Sequence, residues 1–308
     1  FYYVHKCADG FKNFLFLWDM QALGYYLALP LIYFFSILPM WVLRQASNIG
    51  YFFLFHVFEY RKEVVYKNLR NSFPEKTDAE IDTIARRFYM VFADTMFETI
   101  KALTITHKQL KKKCSVKNYS LVEESLNKGR NALLVCGHYG NWEWAGGSMA
   151  VHAGLPLKAA YKPLSNKYFN RLAVRSRTRL KIMLIPKRQL LKHLTDTPHE
   201  QTLLVLIADQ SPNPKDHYWT KFMNQDTAVV TGMERIARQY DYDVFYATIH
   251  HVSRGKYEIT FKLLTNDANS LPPQQLTAMF MSELEADIRK DPGPYLWSHR
   301  RWKLKKPA

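Results

Sequence analysis

Three short, almost wholly apolar runs, at 132–136, 203–207 and 244–249, constrain this chain more than any other feature. Each has the length of a strand rather than a helix. Each reads as a buried or half-buried strand, as in a parallel sheet covered by helices. Amphipathic stretches at 168–178, 232–240 and 274–290 lie between or after these runs. The predicted fold is therefore α/β, with a mostly parallel central sheet flanked by helices.

The N-terminal fifth is different in kind. From Met20 to Leu43 there is no Asp, Glu, Lys or Arg, and about 20 apolar residues suffice to cross a bilayer. Pro30 and Pro39 interrupt the run, and Arg44, Arg61 and Lys62 follow close to aromatic stretches such as Tyr51-Phe52-Phe53. This pattern predicts a kinked hydrophobic anchor, seated in one leaflet or crossing with a bend. Residues 1–19 carry Lys6 and Lys12 ahead of the apolar run without a small-x-small cleavage site, so removal as a signal peptide is not expected. The chain divides into an N-terminal extension at 1–19, membrane-anchoring helices at 20–60 and a main α/β domain at 61–308. Within the last, Ser72-Phe73-Pro74 breaks the chain, and Thr77 and Glu80 look like a capping box ahead of a helix with Ile81, Ile84, Phe88 and Phe92 on one face.

Composition narrows the partners. Forty-three Lys and Arg against 27 Asp and Glu give a formal net charge of +16, which suits an anionic lipid surface, an acidic protein or nucleic acid. The basic clusters are Lys111–Lys113, 171–179 and 300–306. The three cysteines, Cys7, Cys114 and Cys136, are widely spaced and form no C-x-x-C pair, so neither a disulfide framework nor a zinc site is implied. His250-His251 would point to opposite faces of a strand and lacks further ligands. There is no P-loop and no G-x-G-x-x-G, so no nucleotide cofactor is expected.

The segment richest in chemistry is Gly137-His138-Tyr139-Gly140-Asn141-Trp142-Glu143, directly after the first apolar run. Sites of open α/β sheets gather at the carboxyl ends of strands, and His138 stands at one. Gly137 and Gly140 permit a tight turn, and a helix beginning near Asn141 would set Glu143 in its first turn, pointing back at the imidazole. A carboxylate on one ring nitrogen fixes the tautomer and raises the basicity of the other, so His138 is expected to be a general base and Glu143 its orienter. Asp209, after the second run, has two readings, a substrate contact or a cap on the next turn, and Gln210 shares them. Cys136 reads as a buried core thiol.

This spacing resembles the H-x4-D/E motif of the glycerolipid and lipid A acyltransferases. The remaining blocks extend the likeness in order. Tyr161-Lys162-Pro163 with Asn166, Arg171 and Arg175-Ser176-Arg177 is similar to a segment of the late lipid A acyltransferases, as are Ala208-Asp209-Gln210, Phe222, Thr231-Gly232 and the run Pro294-Tyr295-Leu296-Trp297-Ser298-His299-Arg300-Arg301-Trp302-Lys303. Lys162 stands where that family commonly has Arg, which weakens bidentate phosphate binding at this position.

The resemblance implies transfer of a fatty acyl group from an acyl carrier protein thioester, or from acyl-CoA, to a hydroxyl of a lipid A precursor at the cytoplasmic face of the bacterial inner membrane, with no bound cofactor. It also places Arg175 at the active site. Oxyanion stabilisation is expected from backbone N–H groups of the turn from Gly137 through Gly140 to Asn141, or from a cation, and Lys162, Arg177 and Asp209 are further substrate-binding candidates. The expected partners are acyl carrier protein, the lipid acceptor and inner-membrane phospholipids, not nucleic acid. The same chemistry serves a lysophospholipid, amino-acid lipid or glycolipid acceptor. A non-enzymatic basic membrane-surface protein would share the charge and the apolar N-terminus, but leaves the ordered motif blocks unexplained.

Overall fold

The computed structural model describes residues 2–153, 155–212 and 217–306, with side chains from residue 20 onward. The uncharged run forms the second half of α1 (Tyr2–Ile37), which passes through Pro30 without a break and through residue 20 without a boundary. The chain turns at Leu38-Pro39 instead, where Pro39 is the N-cap of α2 (Met40–Phe52). Its fixed φ and missing N–H suit a helix start. One turn of π-helix (Phe53–Val57) follows, then α3 (Lys62–Ser72). The expected capping box is present: Thr77 and Glu80 hydrogen-bond reciprocally and start α4 (Asp78–Lys101).

The window Met20–Ile37 is long and apolar enough to cross a membrane, and only 6% of it is buried. Leu23, Leu27, Leu31, Phe34 and Ile37 of α1, with Trp41, Ile49, Phe52, Phe53 and Phe58 beyond it, stand exposed. The inner faces of α2 and the π-turn belong to the protein core, where Leu43 and Phe55 are buried. Lys101 at the end of α4 donates to the carbonyls of Ser36 and Leu38, both 2.9 Å, and so caps the end of α1. Tyr25 of α1 stacks on Tyr168 at 5.5 Å.

After α5 (His107–Lys113) the sheet begins: β1 (Cys114–Val116), α6 (Ser120–Asn127), β2 (Asn131–Cys136), α7 (Trp142–His152), β3 (Leu157–Tyr161), α8 (Lys167–Arg179), β4 (Ile182–Pro186), α9 (Leu190–Asp196) and β5 (Leu203–Ile207). A separate antiparallel pair, β6 (Tyr218–Phe222) and β7 (Gln225–Val229), precedes α10 (Gly232–Tyr240), β8 (Tyr242–Ser253), β9 (Lys256–Thr265) and α11 (Gln275–Lys290). The seven-stranded sheet has the order β1-β9-β8-β2-β5-β3-β4. All its neighbours are parallel except β8 and β9. The apolar runs thus form its middle, β8-β2-β5. Register matters for the site: Cys136 of β2 pairs with Ile207 of β5, so both strands end level with each other.

Candidate active site

His138 lies two residues beyond β2 and Asp209 two residues beyond β5, so the shared register sets them side by side. Asp209 accepts twice from His138: from the backbone N–H at 3.0 Å and from Nδ1 at 2.6 Å. With Nδ1 donating to Asp209, Nε2 keeps its lone pair, and the side-chain amide of Gln210 lies 3.2 Å from it. The indole of Trp142 meets the ring edge-on at 5.0 Å. The His138 side chain is 15% exposed and that of Asp209 only 3%.

Burial alone would lower the His138 pKa, but the charge and hydrogen bond of Asp209, with the charge of Glu143, outweigh it and hold the ring above the ordinary 6.5. Burial would likewise raise Asp209. Its pairing with His138 and the nearby Arg301 guanidinium win, and hold its carboxyl below the usual value. The C-terminal segment braces this pair. Gly140 N–H donates to Pro294 O at 3.0 Å, Leu296 N–H donates to His138 O at 3.1 Å, and Tyr139 and Tyr295 form a β-bridge. The buried Tyr295 hydroxyl also bears on Asp209.

His138 opens on a cleft of about 250 Å³. Beyond Trp142 its wall is made of Gly146, Ala159, Ile182, Leu184, Val205 and Ile207, an apolar lining fit for a hydrocarbon chain. A second cavity of about 210 Å³ reaches Ile32 of α1, Ile100 and Leu103. Both cavities share Glu143, Leu164, Ala173 and Arg177.

The model of the bacterial lipid A biosynthesis acyltransferases matches residues 14–304. The chain belongs to that family. Two proteins of Haemophilus influenzae, each named lipid A biosynthesis acyltransferase, are similar to it. One is 22% identical over 274 residues, spanning 87% of this chain and 86% of the relative. The other is 20% identical over 232 residues, spanning 75% and 72%. The chain is accordingly an acyltransferase of lipid A biosynthesis type, and the family is one of membrane-associated enzymes acting on a lipid acceptor.

Within this lipid A acyltransferase the expected partner of His138 changes. Glu143 does sit in the first turn of α7, but both its oxygens accept from Arg177, Oε2 from Nε at 2.9 Å and Oε1 from Nη2 at 2.6 Å. It acts on the imidazole by charge, and Asp209 holds Nδ1. Arg177 is therefore the arginine of the cleft, with Nη1 lacking a hydrogen-bond partner among the described residues, and burial and Glu143 make it integral to the wall. Arg175 is exposed on the far side of α8, since two residues along a helix turn a side chain through about 200°.

The expected oxyanion donors of the turn are largely taken. The N–H groups of His138, Tyr139 and Gly140 are bound to Asp209, Gly137 O and Pro294 O. Asn141 is fully buried; its Oδ1 caps α7 at Trp144 N–H, 2.9 Å, and its Nδ2 donates to Glu98. Gly140 has φ +61°, where glycine is favoured, and a Cβ there would press on Ile249. Lys162 lines the cleft mouth. Cys136 also lines it, buried, with its thiol pushed up to about 12 by desolvation. His250 faces Thr260 at 3.1 Å, and no group of three His, Cys, Asp or Glu side chains among the described residues is placed to hold a metal. Cys7 lies outside the described side chains.

Residues that sequence reading left out are Trp142, Tyr295, Arg301 and Glu98. Three of them had a signal: Trp142 lies inside the motif itself, and Tyr295 and Arg301 lie in the C-terminal block. Glu98 had none, because nothing in its local sequence separates it from a solvated helix face.

Proposed function

We propose that this acyltransferase moves a fatty acyl group from an acyl carrier protein thioester to a hydroxyl of a lipid A precursor, with His138 as general base and Asp209 as its orienter. The observation that carries the reading is the Asp209–Nδ1 contact, 2.6 Å, which leaves Nε2 basic at the mouth of an apolar cleft. The acceptor oxygen attacks the thioester carbonyl as Nε2 takes its proton. The tetrahedral intermediate then collapses, the C–S bond breaks, and the imidazolium returns the proton to the departing thiolate. The products are the ester and the free carrier thiol. A positioned base of this kind contributes about 10²- to 10⁴-fold.

Asp209 stabilises the imidazolium, and Glu143 adds a second negative charge nearby. Arg177 is the group suited to the developing oxyanion, since the N–H groups of His138, Tyr139 and Gly140 are engaged elsewhere and Glu143 holds its guanidinium rigidly at the cleft. The acyl chain occupies the apolar cleft. The exposed apolar faces of α1 and α2 sit in the cytoplasmic leaflet of the inner membrane, and the net charge of +16 favours acidic carrier protein and anionic phospholipids.

The test is lipid mass spectrometry of a host lacking this gene, complemented with wild type or His138→Ala, beside a purified assay offering the same acyl chain on carrier protein or on CoA. We expect lipid A to lose one acyl chain and to regain it with wild type alone, and turnover to be faster from the carrier protein. Unchanged lipid A with a shortened phospholipid or glycolipid pool would move the acceptor to that class, and equal turnover from CoA would remove the carrier protein.

A further inference from the structure

Glu98 is a carboxylic acid buried in the last turn of α4, 3% exposed; it forms no ion pair among the described residues, and the Arg44 charge bears on it only at longer range. A buried carboxyl held by hydrogen bonds and only distant positive charge is costly, so its place in the fold calls for a task. Its contacts all lead to the start of the catalytic turn. Oε2 accepts from Asn141 Nδ2 and from the Tyr257 hydroxyl, both at 2.7 Å, and its backbone carbonyl accepts from Trp144 Nε1 at 2.8 Å. Asn141 passes the constraint on, because with Nδ2 bound to Glu98 its Oδ1 is aimed at Trp144 N–H and caps α7. Tyr257 packs its ring against Gly140, where a Cβ would approach it to 3.6 Å.

We propose that Glu98 is a positioning residue of the acyl transfer: by accepting from Asn141 and Tyr257 it fixes the amide that caps α7, and so sets the turn that carries His138, Trp142 and Glu143. This rests on His138 being the base. The α7 N-cap needs an oxygen facing Trp144 N–H; that donor selects the Asn oxygen but leaves the side chain free to swing out of the cap. Glu98 removes that freedom, as it offers only an acceptor to the other end of the amide. Either protonation state of the carboxyl keeps an oxygen for both donors. Displacement of a reacting group by an ångström costs about 10²-fold in rate, so a distant carboxyl that holds the turn is visible in turnover.

The test is kcat and Tm of the purified full-length chain in detergent, with acyl thioester and lipid acceptor both saturating and His138→Ala as control. Glu98→Ala is expected to lower kcat by tenfold or more, on the order of that positional cost. Glu98→Gln, whose amide oxygen still accepts from both donors, should stay within about threefold of wild type, a fraction of the same scale. Asn141→Asp sets two carboxyls face to face and should lower kcat above neutral pH, where both are charged, and Glu98→Gln in that background should restore part of it, because the amide NH2 and the carboxylate are then exchanged across the same hydrogen bond while the Tyr257 hydroxyl loses its acceptor. A merely structural Glu98 would shift Tm but give no such rescue. Wild-type kcat in Glu98→Ala, or no recovery in the exchanged pair, overturns the proposal. If Glu98→Ala does not fold, the exchanged pair alone decides. Full turnover in His138→Ala would instead remove the general-base reading and leave the role of Glu98 without an object.

Discussion

Asp209 receives two donors from one residue, the N–H and the Nδ1–H of His138. A carboxylate can accept both, whereas an amide turns its NH2 against one of them. Asp209→Asn should therefore lower kcat by about 10²- to 10⁴-fold, the range of a lost general base, at near-native Tm. The pH profile gives an independent readout. With His138 as the proposed base, turnover requires a neutral Nε2, and since the ring is held above 6.5 the acid limb of kcat/KM should lie above that value in wild type and fall in Asp209→Asn. Glu143→Ala should shift the limb down by less and also release Arg177. A wild-type limb below 6.5 would count against Asp209 as the dominant partner. His138 was legible from its place after a buried run, but its partnership with Asp209 was not, since 71 residues separate them and only the register between β2 and β5 makes them neighbours.

Glu98 carries a second consequence at the same scale. Burial raises its pKa to about 7 from 4.5. Below 4.5 both the folded and the unfolded chain hold the proton. As pH rises through 4.5 towards 7 only the unfolded chain releases it, so the fold loses stability, on the order of 3 kcal/mol, and above that range the deficit is constant. Glu98→Gln lacks this titration. Its Tm relative to wild type should rise between pH 5 and pH 8, as thermal denaturation at the two values would report; a pH-independent difference would mean that Glu98 stays charged in the fold.

At the scale of elements, what the sequence revealed depended on how one-sided each element's environment is. The continuous runs of β2 and β5 and the amphipathic α10 were readable because the surroundings of each are uniform. β3 was not, since it holds small Ala159 and Ala160 and a buried Lys158 that reaches Thr202 at 3.1 Å and Glu200 at 3.2 Å. β4 is an edge strand with Met183 exposed and Pro186 at its end, which blurs any pattern. The turn joining β6 and β7 uses Met223 and Asn224, both at positive φ, without the glycine that marks such turns. β9 did carry a signal: Tyr257, Ile259 and Phe261 are buried and alternate with Glu258, Thr260 and Lys262. Helix ends make the same point energetically. Lys101 donates to two carbonyls at the end of α1, and Thr104 also donates to that of Ser36, so Lys101→Met should leave the Leu38 carbonyl unpaired and cost about 1–3 kcal/mol. A Tm unchanged in that variant would show that the joint between α1 and α4 is held by packing and by the Thr104 hydroxyl on Ser36.

The whole molecule is a sheet domain with one apolar flank, and the two halves of its N-terminal segment do different things. The inner side of α2 shares the core through Leu43 and Phe55, so removing everything before residue 58 would uncover α4 rather than detach an independent anchor. The outer side is the face the proposed membrane contact would use, because Leu27, Leu31, Trp41 and Phe52 are each more than half exposed. Water-exposed side chains of this size gain about 1.5–3 kcal/mol each on entering an apolar phase. Leu27→Ser with Leu31→Ser should therefore weaken binding to anionic vesicles by roughly 10²-fold or more, since about 1.4 kcal/mol is a factor of ten, and Trp41→Ser with Phe52→Ser should do the same. Neither pair touches the buried core, so Tm and turnover on a detergent-dispersed acceptor should remain near wild type while turnover on vesicle-embedded acceptor falls. Sedimentation with vesicles beside the two assays separates the possibilities. Undiminished sedimentation in all four substitutions combined would assign attachment to the basic clusters, and the same experiment at raised salt would then abolish it, because charge attraction is screened while apolar insertion is not.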